Sequence, residues 1–369
     1  MINLNLLCKE VNGLLFVGDP HVWSHKPGRR RDNYLETICG KLEQIVEICN
    51  REKYWPVFLG DLFHQAEDNN LYMISRLSYI FQQFERKPLV LVGNHDLTEQ
   101  KLTQGTVLEV FHSVGLILTV MENGPFARVD IRTNNTENGN GLERILLGGT
   151  PYGQEVPKTL TSFLKGKTAL EIKKKAGVDT IVWITHDDFA FDQSYPNAVM
   201  LHPVVGADIV VNGHIHAYQK PVKMGETAWY NPGNISRISI DLIDQEVAVW
   251  AFVGSHRRDV SSNDLDIPLL VKVPLKHALG KDVMSLEGYH TKKAVSEGEI
   301  EDAQAPADVG SLFVTQLKQE EAQRKTDEGV LLRETLDDEY RLTETPEHIK
   351  KIVDNLFEEA ILHHQKKIS

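Results

Sequence analysis

The chain has 369 residues, 41% of them hydrophobic and 25% charged, and a formal net charge of −12. This length predicts a core domain with an appendage. No apolar run approaches the roughly 20 residues that span a membrane. Three cysteines without zinc-type spacing argue against a disulfide scaffold. The first residues lack the features of a signal peptide, so a cytoplasmic location is expected. The acidic balance disfavours broad nonspecific binding to nucleic acid, although it leaves room for a local basic groove.

Strands and helices are predicted to alternate over the first 255 residues. Short apolar runs predict strands at 13–18, 56–59, 88–92, 180–184 and 207–211. Apolar positions spaced by threes and fours predict a helix through Ile38 to Cys49, and a second helix covers about 70–85. Cys39 and Cys49 fall in the first helix as buried free thiols. A polar, turn-rich run at 133–141 predicts a hairpin tip.

The chain changes character after residue 255. A β segment at 247–253 is predicted to close the core domain, residues 1–255. Residues 256–340 are predicted to form an acidic, partly flexible linker or capping region. Residues 341–369 are predicted to form an amphipathic helix, because Thr345 and Pro346 resemble a helix start and an apolar stripe follows. That helix either packs on the core domain or docks on a partner.

Donor-bearing motifs follow the ends of the predicted strands. They contain Asp19 and His21; Asp61 and His64; Asn94, His95 and Asp96; His186; and His214 and His216. Ligands gather beyond the carboxyl ends of strands in α/β sheets, so these side chains are expected to converge. Oxygen and nitrogen donors without thiolate suit Mn²⁺- or Fe-type ions, and two such ions are a known device for attacking a phosphoester.

Each motif residue receives a predicted role. Asp19, His21 and His216 would hold one metal ion, and Asn94, His186 and His214 the other, with Asp61 as the bridge. His95 would protonate the leaving alkoxide, Asp96 would orient the ring of His95, and His64 would face the phosphate. A single histidine beside a strand is more often an ordinary buried residue, but that explanation does not account for the regular placement of all the motifs.

A basic cluster follows the first motif. Lys26, Arg29, Arg30 and Arg31 could neutralise backbone phosphates beside the metal ions. A solvated loop of basic residues is an equally good explanation from the sequence alone.

The order of these motifs resembles the calcineurin-like metallophosphoesterase superfamily, over roughly the first 240 residues. The resemblance implies an α/β fold, a two-sheet β-sandwich flanked by helices, to which the C-terminal appendage adds mostly helix. It also implies two divalent metal ions, commonly Mn²⁺, with Fe²⁺, Mg²⁺ and Zn²⁺ as alternatives. The superfamily's ligands fall on the seven residues already assigned to the metals, with His95 as the acid.

A narrower resemblance is to the Mre11/SbcD-type DNA nucleases. It rests on the segments 31–32, 60–64, 149–152, 213–221 and 230–233. The resemblance implies a DNA exo- or endonuclease of repair, recombination or replication. It also implies that the C-terminal third caps DNA and docks on a Rad50/SbcC-type ATPase. A homodimer is a further hypothesis.

Two other functions stay open at this stage. A stand-alone phosphatase or phosphodiesterase acting on a small molecule or nucleotide fits the acidic charge somewhat better. A binding or scaffold subunit would keep the fold without activity, but the intact set of metal-binding residues and His95 argues against it.

Overall fold

A computed structural model of the protein describes residues 10–133, 141–191, 198–254 and 270–285. All of them belong to one unit, Met1–Tyr289, and a second unit comprises His290–Ser369. The predicted C-terminal helix at 341–369 therefore lies outside the described residues, as does most of the predicted linker. No helix in the described part of the chain is both long and apolar enough to cross a membrane.

The first part of the chain alternates strands and helices, as predicted. The elements are β1 (Glu10–Val11), β2 (Gly13–Val17), α1 (Tyr34–Glu52), β3 (Tyr54–Phe58), α2 (Leu71–Gln82), β4 (Leu89–Leu91), α3 (Val107–Ser113) and β5 (Leu118–Val120). Helix α1 begins where the Asn33 side chain accepts a hydrogen bond from the Glu36 amide, and it ends at Lys53 in the left-handed conformation. Cys39 and Cys49 are buried free thiols within it, as predicted.

Strands dominate the rest of the described chain. The elements are β6 (Gly124–Thr133), β7 (Gly141–Thr150), α4 (Ala169–Ala176), β8 (Thr180–Thr185), β9 (Phe189–Ala190), β10 (Val199–Met200), β11 (Ile209–Asn212), β12 (Gln219–Met224), β13 (Thr227–Asn231), β14 (Ala248–Phe252), β15 (Val271–Pro274) and α5 (Gly280–Val283). Strands β6 and β7 pair antiparallel, which confirms the predicted hairpin.

Two large sheets form the core of the fold. One has the strand order β1-β6-β7-β8-β11-β13-β12, and the other has the order β15-β14-β2-β3-β4-β5. Both contribute to one apolar cluster, in which Phe16 and Val57 of one sheet join Ile145 and Val182 of the other. This arrangement confirms the predicted fold class, a mixed α/β fold of large sheets flanked by helices.

Helices cover the other faces of the two sheets. Ile38 of α1 and Leu77 of α2 join Phe58 in the cluster against the six-stranded sheet. Ile172 of α4 joins Trp183 in the cluster against the seven-stranded sheet. Strands β2 to β5 run parallel, as do β7, β8, β11 and β13. Because the carboxyl ends of parallel strands share one edge, the loops that follow them can meet there.

The core unit extends past residue 255, where the sequence suggested its end. Strand β15 pairs antiparallel with β14 beyond that residue. Leu270 and Leu275, which flank β15, are buried. The amide of Arg31 also donates to the Val283 carbonyl at 2.8 Å. Residues 270–285 therefore belong to the core rather than to a linker. Their apolar pattern is too short to indicate a strand from the sequence.

Candidate metal centre

The loops after β2, β3 and β11 carry strained backbone at the predicted site. His21 and Asp61 both have φ of 46°, and His214 has φ of 68°. Left-handed backbone is uncommon for residues other than glycine and persists where the surrounding structure holds it. The His21 amide donates to the Asp61 carbonyl at 3.0 Å, which ties two of these loops together.

Four side chains form the first donor group, with their ligand atoms all within 4.8 Å of one another. They are Asp19, His21, Asp61 and His216. The Nε2 atoms of His21 and His216 are 2.8 Å apart, and the carboxylate of Asp61 lies 3.7 Å from His21 Nε2. Asp19, His21 and Asp61 are at most 1% exposed. The structure therefore brings together the residues predicted for one metal, including the predicted bridge.

The second donor group shares Asp61 with the first. Asp61, His186 and His214 have ligand atoms within 4.8 Å of one another. The Oδ1 atom of Asn94 lies 3.2 Å from His186 Nε2 and 3.0 Å from His214 Nδ1. His186 Nδ1 donates to the Leu59 carbonyl at 2.8 Å, so its Nε2 atom is directed to this group.

Two glycines make this close approach feasible. A Cβ atom on Gly93 would lie 2.2 Å from Asp61 Oδ1, and one on Gly60 would lie 2.2 Å from His186 Nδ1. Gly60 also has φ of 114°, which other residues rarely adopt. Any larger residue at either position would displace a member of the site.

Burial and mutual charge set the protonation of the site. Burial raises the pKa of Asp19 to about 7, and the Asp61 charge adds to the rise. Burial also opposes ionisation of Asp61, but the charge of His186 and the hydrogen bond that His186 donates outweigh it and hold the pKa of Asp61 well below the usual range. Burial lowers the pKa of His21 and brings that of His216 to about 4. These two histidines are neutral at pH 7, as metal ligands must be.

The donor set fits divalent metal ions. Both carboxylate oxygens of Asp19 are buried and have no hydrogen-bond partner among the described residues. A buried carboxylate without partners is costly unless a cation compensates it. The other donors are imidazole nitrogens, a carboxylate and an amide oxygen, which suit Mn²⁺- or Fe-type ions. The residues present therefore fit two ions that share Asp61.

His95 lies at the edge of the first donor group. Its ring stacks on His64 at 5.2 Å and packs edge-on against His21 at 4.9 Å. A carbonyl oxygen accepts hydrogen bonds only, so His95 Nδ1, 2.8 Å from the His64 carbonyl, carries a proton and donates it. Nε2 is then the nitrogen that can act on a substrate. His64 thus positions His95 through its backbone as well as its ring.

Asp96 does not orient His95, and this part of the sequence-based assignment is wrong. Its two oxygens accept hydrogen bonds from the backbone amides of Phe63 and Gly93, at 3.2 and 3.0 Å. The side chain is fully buried. Asp96 therefore fixes the two loops that carry Asp61 and Asn94. The backbone carbonyl of His64, and not Asp96, orients the His95 ring.

Comparison with known proteins identifies the family to which these metal-binding motifs belong. The sequence profile described as calcineurin-like phosphoesterase matches residues 14–218, which is more than half of the chain and includes every donor of the two groups. The chain belongs to the calcineurin-like phosphoesterase family. No curated protein matches its sequence.

Solved structures similar to this phosphoesterase are distant. An archaeal phosphodiesterase is 12% identical, with 71% of this chain and 99% of that one covered and a TM-score of 0.30. A 5'-nucleotidase precursor from Thermus thermophilus is 15% identical, with coverages of 74% and 55% and a TM-score of 0.37. The protein TT1561 of the same organism is 12% identical, with coverages of 65% and 93% and a TM-score of 0.33. Sequence identities and TM-scores this low do not allow a substrate or a mechanism to be transferred to this chain.

Arg30 of the phosphoesterase is not available to a phosphate, contrary to the sequence-based prediction. It is 3% exposed, and its guanidinium donates to both Asp32 oxygens and to the carbonyls of Ser236 and Arg237. Four of its five N–H donors are thus used within the protein. Lys26, Arg29 and Arg31 are exposed, so the predicted basic cluster keeps three of its four members at the surface.

A loop at 234–237 supports the metal-binding residues, and the sequence did not reveal it. The amide of Asn234 donates to the His216 carbonyl at 2.9 Å, and that of Ile235 donates to the Gly18 carbonyl at 3.2 Å. The buried Lys41 ammonium donates to the Ile235 carbonyl at 2.5 Å. The loop's own amides therefore join it to the chain segments that carry Asp19 and His216, and Arg30 and Lys41 fix its carbonyls.

Arg30→Ala is expected to lower the free energy of unfolding by about 3–5 kcal/mol, because it breaks a buried ion pair and leaves two carbonyls unpaired. Denaturant unfolding measures this change. Arg31→Ala is the matched control, since Arg31 is exposed, and it is expected to change stability by under about 1 kcal/mol. If Arg30→Ala were as stable as the wild type and bound DNA more weakly, Arg30 would bind phosphate after all.

Two further residues near the site carried no predicted role. The Asn231 side chain donates to the carbonyls of Ile215 and Ala217, which holds the loop of His214 and His216. The Tyr152 ring lies 5.9 Å from the His214 ring and 6.2 Å from that of His186. Asn231 ends β13 and Tyr152 follows β7; both lie in segments that carry the nuclease resemblance, 230–233 and 149–152, but neither has a spacing that indicates such a role.

Metal binding by the phosphoesterase is expected to release protons. The carboxylates of Asp61 and Asp19 overcome the effect of burial on His186 and raise its pKa to about 10. His186 is therefore protonated at pH 7–8 without metal, and Asp19 gains a proton below about pH 7. A dication needs both groups deprotonated. Mn²⁺ affinity should therefore fall as the pH is lowered through 7.

Calorimetric Mn²⁺ titration in buffers of different ionisation enthalpy measures this release. In the metal-free protein, the contribution of Asp19 to stability should fall as the pH rises from about 4 to 7, because its pKa is higher in the folded than in the unfolded state, whereas the lowered pKa values of His21 and His216 act in the opposite direction. Heats that do not depend on the buffer would contradict these protonation states.

Proposed function

We propose that this phosphoesterase is a two-metal phosphodiesterase, and specifically a Mn²⁺-dependent DNA nuclease of the Mre11/SbcD type. The observation that carries the two-metal part is the sharing of Asp61 between two donor groups. The nuclease part is supported by the motif resemblances, above all the segment 60–64, in which His64 contacts His95. Asp19, His21 and His216 would hold one ion with Asp61, and Asn94, His186 and His214 the other.

The chain's own residues account for the rest of the chemistry. When bound, two dications would supply a nucleophile near neutral pH and would neutralise charge on the phosphoryl group. His95 donates from Nδ1 to the His64 carbonyl, so its protonated form presents the Nε2 proton to the leaving oxygen. The stacked His64 ring restricts the rotation of His95. Tyr34 donates to the His21 carbonyl at 2.8 Å, which supports the strained turn at that ligand.

DNA as substrate predicts a defined basic surface. Lys26, Arg29 and Arg31 are exposed in the loop after the first motif. Changing all three to Ala should weaken DNA binding. It should also reduce the slope of the logarithm of the affinity against the logarithm of the salt concentration, by about 0.9 for each phosphate that is no longer neutralised. Fluorescence anisotropy of labelled DNA over a range of salt concentrations measures both effects.

The control for this experiment changes three exposed lysines elsewhere on the surface. Lys167, Lys174 and Lys175 lie in or next to α4, and their replacement by Ala removes the same charge. Only the first triple variant should alter the salt dependence. Equal losses in both variants would show a nonspecific charge effect and would count against a DNA surface after the first motif.

A small phosphoester is the second candidate substrate. Half-buried Asp187 and Asp188 follow His186 directly, and their charges act on His214. These carboxylates and the net charge of −12 disfavour a long polyanion beside the second donor group. Rates on end-labelled linear DNA and on a chromogenic diester, both with Mn²⁺, separate the two candidates. Cleavage of the small ester alone would move the substrate to a small molecule or nucleotide.

The remaining hypotheses concern residues and partners that the structure does not describe. Docking of a Rad50/SbcC-type ATPase on residues 341–369, DNA capping by the C-terminal third, a homodimer and a cytoplasmic location stay predictions. Pull-down with and without residues 341–369 tests the docking prediction.

A further inference from the structure

An aromatic pair bridges the two sheets close to the metal centre. Tyr218, two residues after His216, stacks on Trp250 of β14 with the ring centroids 5.3 Å apart and the planes 2° from parallel. Tyr218 leads into the seven-stranded sheet, whereas Trp250 belongs to the six-stranded sheet. Tyr218 is 43% exposed, so much of the ring stays accessible at the surface. The mechanism above uses neither ring.

This pair lines a cavity of about 280 Å³ together with Gln245 and Lys272. The size is at the lower limit of ligand pockets, about 300 Å³, and suits one planar ring system rather than a large ligand. The Trp250 indole nitrogen is buried without a hydrogen-bond partner among the described residues.

A hydrogen-bond chain links the cavity to the metal centre. The Gln245 side chain accepts from the Tyr218 amide at 3.0 Å and donates to the His216 carbonyl at 3.0 Å. A ligand held on the aromatic pair is therefore next to a predicted metal-binding residue, along one continuous surface loop. Lys272 pairs with Trp250 across β14 and β15 and places an ammonium at the cavity, where Glu246 accepts from it.

We propose that Tyr218 and Trp250 form a stacking platform for a nucleobase of the phosphoester substrate, with the Lys272–Glu246 ion pair at its edge. Stacking on an aromatic side chain accepts any base, because every base has a π face. This proposal rests on the proposed phosphodiesterase function and narrows its substrate to nucleotides or nucleic acid.

The test measures binding without turnover, on the full-length protein with no metal added. A fluorescent short oligodeoxyadenylate is compared with an oligonucleotide of the same length that carries abasic sites. Tyr218→Ala should weaken binding of the base-bearing strand about tenfold and leave the abasic strand unchanged. Tyr218→Phe keeps the ring and should bind like wild type. Tyr79→Ala is the matched control, because Tyr79 is 64% exposed on α2.

The outcomes separate this proposal from the phosphodiesterase function. Free adenosine monophosphate is then added as a competitor of the strand. If Tyr218→Ala weakens this competition, the platform binds free nucleotides. If Tyr218→Ala leaves it unchanged, the platform binds strands. Equal affinity of wild type and Tyr218→Ala for the base-bearing strand would overturn the platform, as would equal losses on both strands. Metal-dependent hydrolysis of a chromogenic diester, measured separately, decides the phosphodiesterase function.

Discussion

Asp61→Asn is expected to lower kcat on any phosphodiester by about four orders of magnitude or more, since each dication supplies several kcal/mol of transition-state stabilisation. Asp61 is the member common to both donor groups. Its Oδ1 atom accepts from the His95 amide at 2.8 Å, and the Asn oxygen keeps that bond. The substitution therefore removes the bridging charge with little change in shape.

Steady-state kinetics with Mn²⁺ measures the effect, and Mn²⁺ titration should show weakened binding in both groups. Asp179→Asn is the matched control, because Asp179 forms an exposed ion pair with Arg144. It should retain wild-type activity. Substantial activity of Asp61→Asn at saturating Mn²⁺ would contradict the shared-ligand arrangement.

His95→Ala is expected to lower kcat on DNA by about 10²–10⁴-fold, the usual contribution of general acid catalysis, while the metal ions stay bound. The loss should depend on the leaving group. An alkoxide of DNA needs a proton as it departs, whereas p-nitrophenolate is stable without one. The same variant should therefore lose much less activity on a p-nitrophenyl diester.

Comparison of the two substrates with one variant makes this test independent of folding. His25→Ala is the control, since His25 is exposed and has no assigned role. It should match wild type on both substrates. Equal losses on DNA and on the chromogenic ester would show that His95 positions the phosphate instead of protonating the leaving group.

The position of the site could be predicted from the sequence because parallel strands impose it. Asp19, Asp61 and His186 each follow an apolar run, and the ends of such strands meet at one edge of a sheet. Glycines before or between these residues add a second signal, since Gly60 and Gly93 have no room for a side chain. The apolar runs and the glycines that follow them thus predicted which residues would lie together in the site.

The direction in which a side chain points was not predictable from the sequence. Asp96 follows His95 directly, and adjacency suggested that they interact, but the loop turns Asp96 toward the amides of Phe63 and Gly93. Arg30 stands among exposed basic residues, yet it is buried because the loop at 234–237 packs over it. That loop is about 200 residues away along the chain, and no local pattern reveals such a partner.

The most direct test of the account is a Mn²⁺ titration of the metal-free protein followed by electron paramagnetic resonance. Two donor groups that share the Asp61 carboxylate predict two Mn²⁺ ions per chain. Their spins should be coupled through the bridge, and Asp61→Asn should abolish the coupling. A single uncoupled ion, or binding that Asp61→Asn leaves unchanged, would contradict the two-metal centre.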